Sequence, residues 1–132
     1  MPDMTPVQAA SLWSGLLVLL MVLLSIRVVM ARRSHRVLLG DGGVAQVTLA
    51  GRVFGNAAEY IPAGIGALAL LALLGMPALA IHIIGGLLFT GRLVHAISLS
   101  DKRPTAGRIL GMALTFIALI GAGAMLVVHA FV

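Results

Sequence analysis

The chain has 132 residues, of which 61% are hydrophobic and only 10% are charged, and it contains no cysteine. Soluble domains carry roughly 25% charged residues, so this balance excludes an ordinary water-soluble fold and indicates a membrane protein. The absence of cysteine excludes a disulfide framework, a thiolate metal site and a cysteine nucleophile.

Four apolar segments follow one another along the chain, each near the ~20 residues that a helix needs to cross the hydrocarbon layer. They cover approximately residues 11–31, 47–74, 78–99 and 108–131. Short connections containing Gly or Pro join them, and such connections favour antiparallel neighbours. The sequence therefore predicts an all-α membrane protein with one domain, residues 1–132, built as an antiparallel four-helix transmembrane bundle.

All nine Lys and Arg residues lie in two windows around the first and third connections. The first window holds Arg27, Arg32, Arg33, Arg36 and Arg52, and the second holds Arg92, Lys102, Arg103 and Arg108. By the positive-inside rule, both connections face the cytoplasm and both termini face the other side of the membrane. Because the basic residues form no surface interleaved with aromatic residues, nucleic acid is excluded as a partner.

A polar stripe interrupts the second apolar segment. Asn56, Glu59 and Tyr60 follow Arg52 by four, seven and eight residues, so all four side chains share one helix face. Charges in a bilayer are costly and usually functional, and this set suits a zwitterionic, peptide-like ligand. The alternative is that Glu59 pairs with an arginine of a neighbouring helix and only fixes the packing of the bundle.

The third and fourth segments add basic groups at the same end. Arg92 and His95 are three residues apart and share a helix face. Arg108 opens the fourth segment, where its guanidinium could stabilise an anion or, alternatively, anchor the helix at the lipid headgroups. Arg32, at the end of the first segment, could likewise either bind an anion or anchor its helix at the lipid headgroups. No HExxH motif or acidic cluster accompanies the histidines, so no metal site is expected.

These residues resemble the motifs of the MAPEG family, the membrane-associated proteins in eicosanoid and glutathione metabolism. The pattern Arg52-x3-Asn56-x2-Glu59-Tyr60-x-Pro62 is similar to the second-helix motif of that family. The run 31–37, ARRSHRV, resembles the arginine-rich end of its first helix, and 91–95, GRLVH, resembles its third-helix signature. The resemblance extends over essentially the whole chain and is closest to bacterial members.

The resemblance implies a homotrimer in the bacterial inner membrane that binds glutathione near the cytoplasmic side, between subunits. It implies that Arg108 stabilises the glutathione thiolate, which attacks a lipophilic electrophile arriving through the bilayer, as in a glutathione transferase or peroxidase. The glutathione-binding residues implied are Arg52, Asn56, Glu59 and Tyr60, supplemented by Arg32, Arg92 and His95.

Two departures from the family pattern narrow this expectation. Leu99 stands where many catalytic members have tyrosine, and Ile109 stands where the prostaglandin-synthesising branch has serine. Both argue against a specific eicosanoid synthase and leave a general glutathione transferase or peroxidase, or a binding protein without catalysis. Two other classes compete: a small proton-coupled multidrug exporter that uses Glu59, and a membrane subunit with a structural role.

Overall fold

Four helices account for almost all of the computed structural model, which describes residues 4–98 and 105–132. They are α1 (Pro6–His35), α2 (Ala45–Leu73), α3 (Ala78–Ser98) and α4 (Ala106–His129). Each is long and apolar enough to cross a membrane. The predicted all-α, four-helix membrane fold is confirmed. Leu99, where the third span was expected to end, lies outside the described residues, as do Lys102 and Arg103.

Local sequence signals fix the helix ends. Thr5 and Gln8 form a capping box at the start of α1, so each side chain accepts a bond from the other's backbone N–H. Gly75, with φ +74°, ends α2 in the left-handed conformation that glycine adopts without a steric cost. At the start of α4, the Thr105 hydroxyl accepts the backbone N–H of Arg108 at 3.1 Å.

Glycines let α3 and α4 approach closely. A Cβ added at Gly91 would lie 2.9 Å from the carbonyl oxygen of Gly111, and one at Gly111 would lie 2.7 Å from the backbone nitrogen of His95. Small residues at a crossing are typical of packed membrane helices. This contact brings the last turns of α3, with Arg92 and His95, against the first turns of α4.

A second close contact lies at the opposite end of the bundle. Trp13 of α1 packs on Gly85, where an added Cβ would lie 2.3 Å from the indole Cγ. The indole Nε1 donates to Nδ1 of His82 at 3.0 Å, and the two rings meet edge to face. This end is therefore closed by an aromatic pair between α1 and α3.

The outer surfaces of α1 and α4 are apolar. Large hydrophobic side chains such as Leu19 (61% exposed), Leu23 (60%) and Ile120 (71%) cover them. Such surfaces require lipid or other apolar partners. With four membrane-crossing helices, the protein is a multi-pass integral membrane protein.

Candidate functional site

An open cavity of about 560 Å³ lies at the end of the bundle where α2 and α4 begin and α3 ends. Five of the eight predicted site residues line it: Arg52, Asn56, Glu59, His95 and Arg108. Asp41, Gly43, Ala45, Thr48, Leu49 and Gly55 complete the lining. The polar stripe of the second helix and the arginine of the fourth therefore meet in one site.

The α2 side of the cavity carries charges of both signs. Arg52 and Glu59 are exposed, and Asn56 is partly buried between them along the helix. Within the described residues, no carboxylate lies within 4.0 Å of an arginine nitrogen. Glu59 is therefore not neutralised by a salt bridge within the described part of the chain. This disagrees with the alternative in which Glu59 pairs with an arginine of a neighbouring helix.

Arg92 forms a buried support behind the cavity. Its side chain is 1% exposed, and its Nε donates to the Thr115 hydroxyl at 2.9 Å. Nη1 donates to Oδ1 of Asn56, and Nη2 contacts the Met112 sulfur at 3.2 Å. The guanidinium carbon also lies 5.2 Å from the ring centroid of Tyr60, a cation–π contact. Arg92 thus joins α2, α3 and α4 without lining the cavity.

This contact determines how Asn56 presents its amide. A guanidinium can only donate, so the Asn56 oxygen must face Arg92 and its NH₂ group must point elsewhere. Asn56 also lines the cavity. With its oxygen bonded to Arg92, the amide hydrogen bonds that Asn56 still has available for a ligand are those its NH₂ group donates, which suit a carbonyl or carboxylate oxygen.

His95 and Arg108 form the other wall. His95 is 3% exposed and packs against Gly111, whereas Arg108 is exposed on the first turn of α4. The cavity therefore receives one imidazole from a tightly packed segment and one guanidinium from a helix start. Among the residues that the structure describes, no group of three or more His, Cys, Asp or Glu side chains could hold a metal ion.

The sequence profile of the MAPEG family matches residues 10–128. The chain belongs to the MAPEG family. It is 36% identical over 111 residues to the inner membrane protein YecN of Escherichia coli strain K12, covering 84% of each chain. The same protein of Escherichia coli O6:H1 strain CFT073 matches equally well. No solved structure matches significantly. The predicted bacterial-type membership and inner-membrane location are confirmed.

In this MAPEG chain Asp41 also lines the cavity, although the sequence did not predict it as a site residue. Its carboxylate accepts the backbone N–H of Gly43 at 3.0 Å and the Thr48 hydroxyl at 2.7 Å. These bonds, Gly43 first, lower the pKa of Asp41 below its usual 3.8 and keep it ionised. The Asp41-Gly42-Gly43 run, typical of an Asx turn, was the signal available in the sequence.

Besides Arg92, two predicted MAPEG site residues do not line the cavity, Arg32 and Tyr60. Arg32 donates from Nη1 to the carbonyl oxygen of Gly40 at 2.5 Å and borders a separate groove. Tyr60 lies beside Arg92 and packs edge to face on Phe116, with centroids 5.8 Å apart. Their proposed contacts with a ligand remain predictions.

Proposed function

We propose that this MAPEG protein binds glutathione in the cavity between α2, α3 and α4 and conjugates it to a lipophilic electrophile. The observation that carries the proposal is the cavity lining, which combines two guanidinium groups, two carboxylates and a donating amide. Its volume of about 560 Å³ lies within the roughly 300–1,000 Å³ typical of small-molecule sites.

The polar groups of glutathione match this lining one by one. Its two carboxylates suit Arg52 and the NH₂ group of Asn56, because both donate hydrogen bonds. Its single ammonium suits Glu59 or Asp41, which face the cavity from α2 and from the loop before it. His95 can serve the peptide groups, while Arg92 acts by holding Asn56 in place. Tyr60 supports Arg92 from below, and Arg32 steadies the loop through Gly40.

Arg108 is the residue we assign to the thiol. A free thiol has a pKa of ~8.5, and a guanidinium beside it favours the thiolate at neutral pH. The thiol proton passes to water in the open cavity. The thiolate sulfur then donates its electron pair to an electrophilic carbon, forming a carbon–sulfur bond while the leaving group departs with its own pair. A peroxidase reaction would begin from the same thiolate.

A homotrimer would complete the site. Glu59 is exposed on α2, and Ala63 and Gly66, four and seven residues later, are exposed on the same face. A carboxylate facing lipid is costly, whereas small residues allow another helix to approach closely. A neighbouring copy on this face would enclose the cavity on its open side. In this arrangement the cavity end faces the cytoplasm and both termini face away from it.

The lining favours a glutathione site over a multidrug exporter. An exporter that cycles Glu59 between a proton and a cationic drug needs an apolar or aromatic cavity around that acid. Here Arg52 and Arg108 line the same cavity and would repel a cation. A purely structural subunit would be expected to satisfy its polar residues internally, whereas Glu59 remains exposed.

Calorimetric titration of the detergent-purified protein with glutathione tests binding. We expect Glu59→Gln to weaken binding by about 10- to 100-fold, the factor for one charged hydrogen bond, with the oligomer unchanged. Gln46→Ala is the matched control, because Gln46 is exposed on α2 but does not line the cavity. The absence of any heat with millimolar glutathione would contradict the proposal.

Thiolate formation is tested separately from binding. Arg108→Ala should reduce the ultraviolet absorbance of bound thiolate and the conjugation rate by at least tenfold, since one favourable charge is lost. Arg27→Ala, which removes a charge outside the cavity, should change neither. An unchanged rate in Arg108→Ala would remove Arg108 from the mechanism while leaving glutathione binding intact.

A further inference from the structure

A second concavity, of about 580 Å³, lies at the C-terminal end of α1, and we name it the arginine groove. It is lined by Val29, Arg32, Arg33, Arg36, Val37 and Leu38. Three arginines and three apolar residues form this lining, and no carboxylate contributes to it. The groove therefore combines an anion-binding side with an apolar side.

Arg36 adopts an unusual backbone conformation in this groove. Its φ of 56° and ψ of 40° place it in the left-handed region at the end of α1. The other positive-φ positions in the described residues, Gly40, Gly42, Gly43 and Gly75, are all glycine. An arginine there costs free energy that glycine would avoid. Such strain, where it is observed, points to a function of the side chain.

The groove lies at the depth of lipid headgroups. The segment of α1 from Leu12 to Ala31 is long enough to cross ~30 Å of hydrocarbon at ~1.5 Å per residue. Arg27, its one charged residue, lies about one turn before its end, from where the long side chain can extend toward the headgroups. Arg33 and Arg36 follow directly, beyond the end of that span. Leu38 and Leu39 next to them are 93% and 89% exposed. An amphipathic lipid fits this groove, because its charged headgroup can contact the arginines and its acyl chain can contact the apolar residues.

We propose that the arginine groove binds an anionic phospholipid. Arg33 and Arg36 hold the phosphate, because the planar guanidinium can donate two parallel hydrogen bonds to phosphate oxygens. The side chains of Val29, Val37 and Leu38 contact the upper part of an acyl chain. Arg32 has a different task, since its Nη1 already donates to the carbonyl of Gly40. This site is separate from the cavity and does not depend on glutathione.

Native mass spectrometry of the detergent-purified protein tests this inference. The protein is incubated with dioleoyl phosphatidylglycerol, with dioleoyl phosphatidylcholine, or with glycerol phosphate, and the retained lipid is counted. We expect preferential retention of phosphatidylglycerol and a loss of about fivefold in affinity for Arg33→Gln and for Arg36→Gly, the factor for one arginine at an anionic lipid. Arg27→Gln, which removes one charge outside the groove, should retain the lipid.

The Arg36→Gly variant separates binding from folding. Glycine relieves the left-handed strain, so its thermal midpoint should stay equal or rise while lipid retention falls. Three results would overturn the proposal. They are equal retention of the two lipids by the unchanged protein, an equal loss in Arg27→Gln, and full displacement of the lipid by equimolar glycerol phosphate, which would make free phosphate the ligand. If Arg36→Gly does not fold, the lipid retention of Arg33→Gln is the deciding measurement.

Discussion

Side-chain hydrogen bonds connect helices near both ends of this bundle. At one end the indole of Trp13 donates to His82, and at the other the guanidinium of Arg92 donates to Asn56. The first pair is partly buried and lines neither the cavity nor the arginine groove, and the remaining ring nitrogen of His82 is buried with no hydrogen-bond partner among the described residues. The second pair borders a cavity and leaves the Asn56 NH₂ group available to it.

The difference shows that a polar residue within a membrane helix is not by itself a functional site. A hydrogen bond between two helices that lines no cavity among the described residues, as between Trp13 and His82, can be explained by helix packing alone. A hydrogen-bond network that ends at a cavity wall, as at Asn56, can hold a side chain in position for a ligand. Substitutions at the cavity end should therefore change ligand binding, and substitutions at the Trp13 end should change only stability.

The largest effect is expected for Arg92→Met, which removes the centre of the buried network. Asn56 and Thr115 lose a charged donor, so the free energy of unfolding in detergent should fall by roughly 2–3 kcal/mol. Glutathione affinity should fall more than tenfold, because Asn56 is no longer oriented. Arg92→Lys keeps the charge but not the planar guanidinium, so it should recover only part of the stability and only part of the glutathione affinity. Full glutathione affinity in Arg92→Met would show that the Arg92 network does not orient Asn56 for binding.

Much of this arrangement follows from helical periodicity. The spacing of Arg52, Asn56 and Glu59 is sufficient to predict that they share one face of α2. Periodicity could not tell which of Arg92 and His95 would face the cavity, because that depends on the close approach of α3 and α4 at Gly111. The same limit explains why Tyr60 supports the cavity rather than lining it.

Helical periodicity could not predict the contacts of the loop residues. Asp41 reaches the cavity because its carboxylate bonds to Thr48, seven residues later, across the start of α2. Arg32 turns to Gly40 because the chain reverses at Arg36 in a left-handed conformation. Both contacts depend on the path of one loop, which no repeating pattern encodes.

A smaller effect is expected for Asp41→Asn. The pKa of Asp41 is held below 3.8, so the group is ionised at neutral pH and loses its charge only as the pH falls below that value. Glutathione affinity should be about three- to fivefold lower in Asp41→Asn at pH 7, and the difference from the unchanged protein should vanish only as the pH falls through the lowered pKa of Asp41. Calorimetry at several pH values measures this, and a ratio that does not change with pH would exclude Asp41 as an ammonium partner.

The smallest effect on binding is expected for Trp13→Phe. The substitution removes the hydrogen bond to His82 but keeps an aromatic ring against Gly85. The free energy of unfolding should fall by about 1 kcal/mol, and glutathione affinity should not change. Thermal denaturation in detergent and calorimetry measure the two quantities. A loss of affinity in this variant would show that the two ends are coupled.

Hydrogen–deuterium exchange with and without saturating glutathione compares the two ends most directly. Glutathione bound in the cavity should protect backbone amides in residues 41–59, 91–98 and 105–111, which contain the whole cavity lining and the α3–α4 contact. Residues 9–17 and 78–86, around Trp13 and His82, should exchange at unchanged rates. Protection confined to the Trp13 end, or no protection anywhere, would contradict a glutathione site in the cavity.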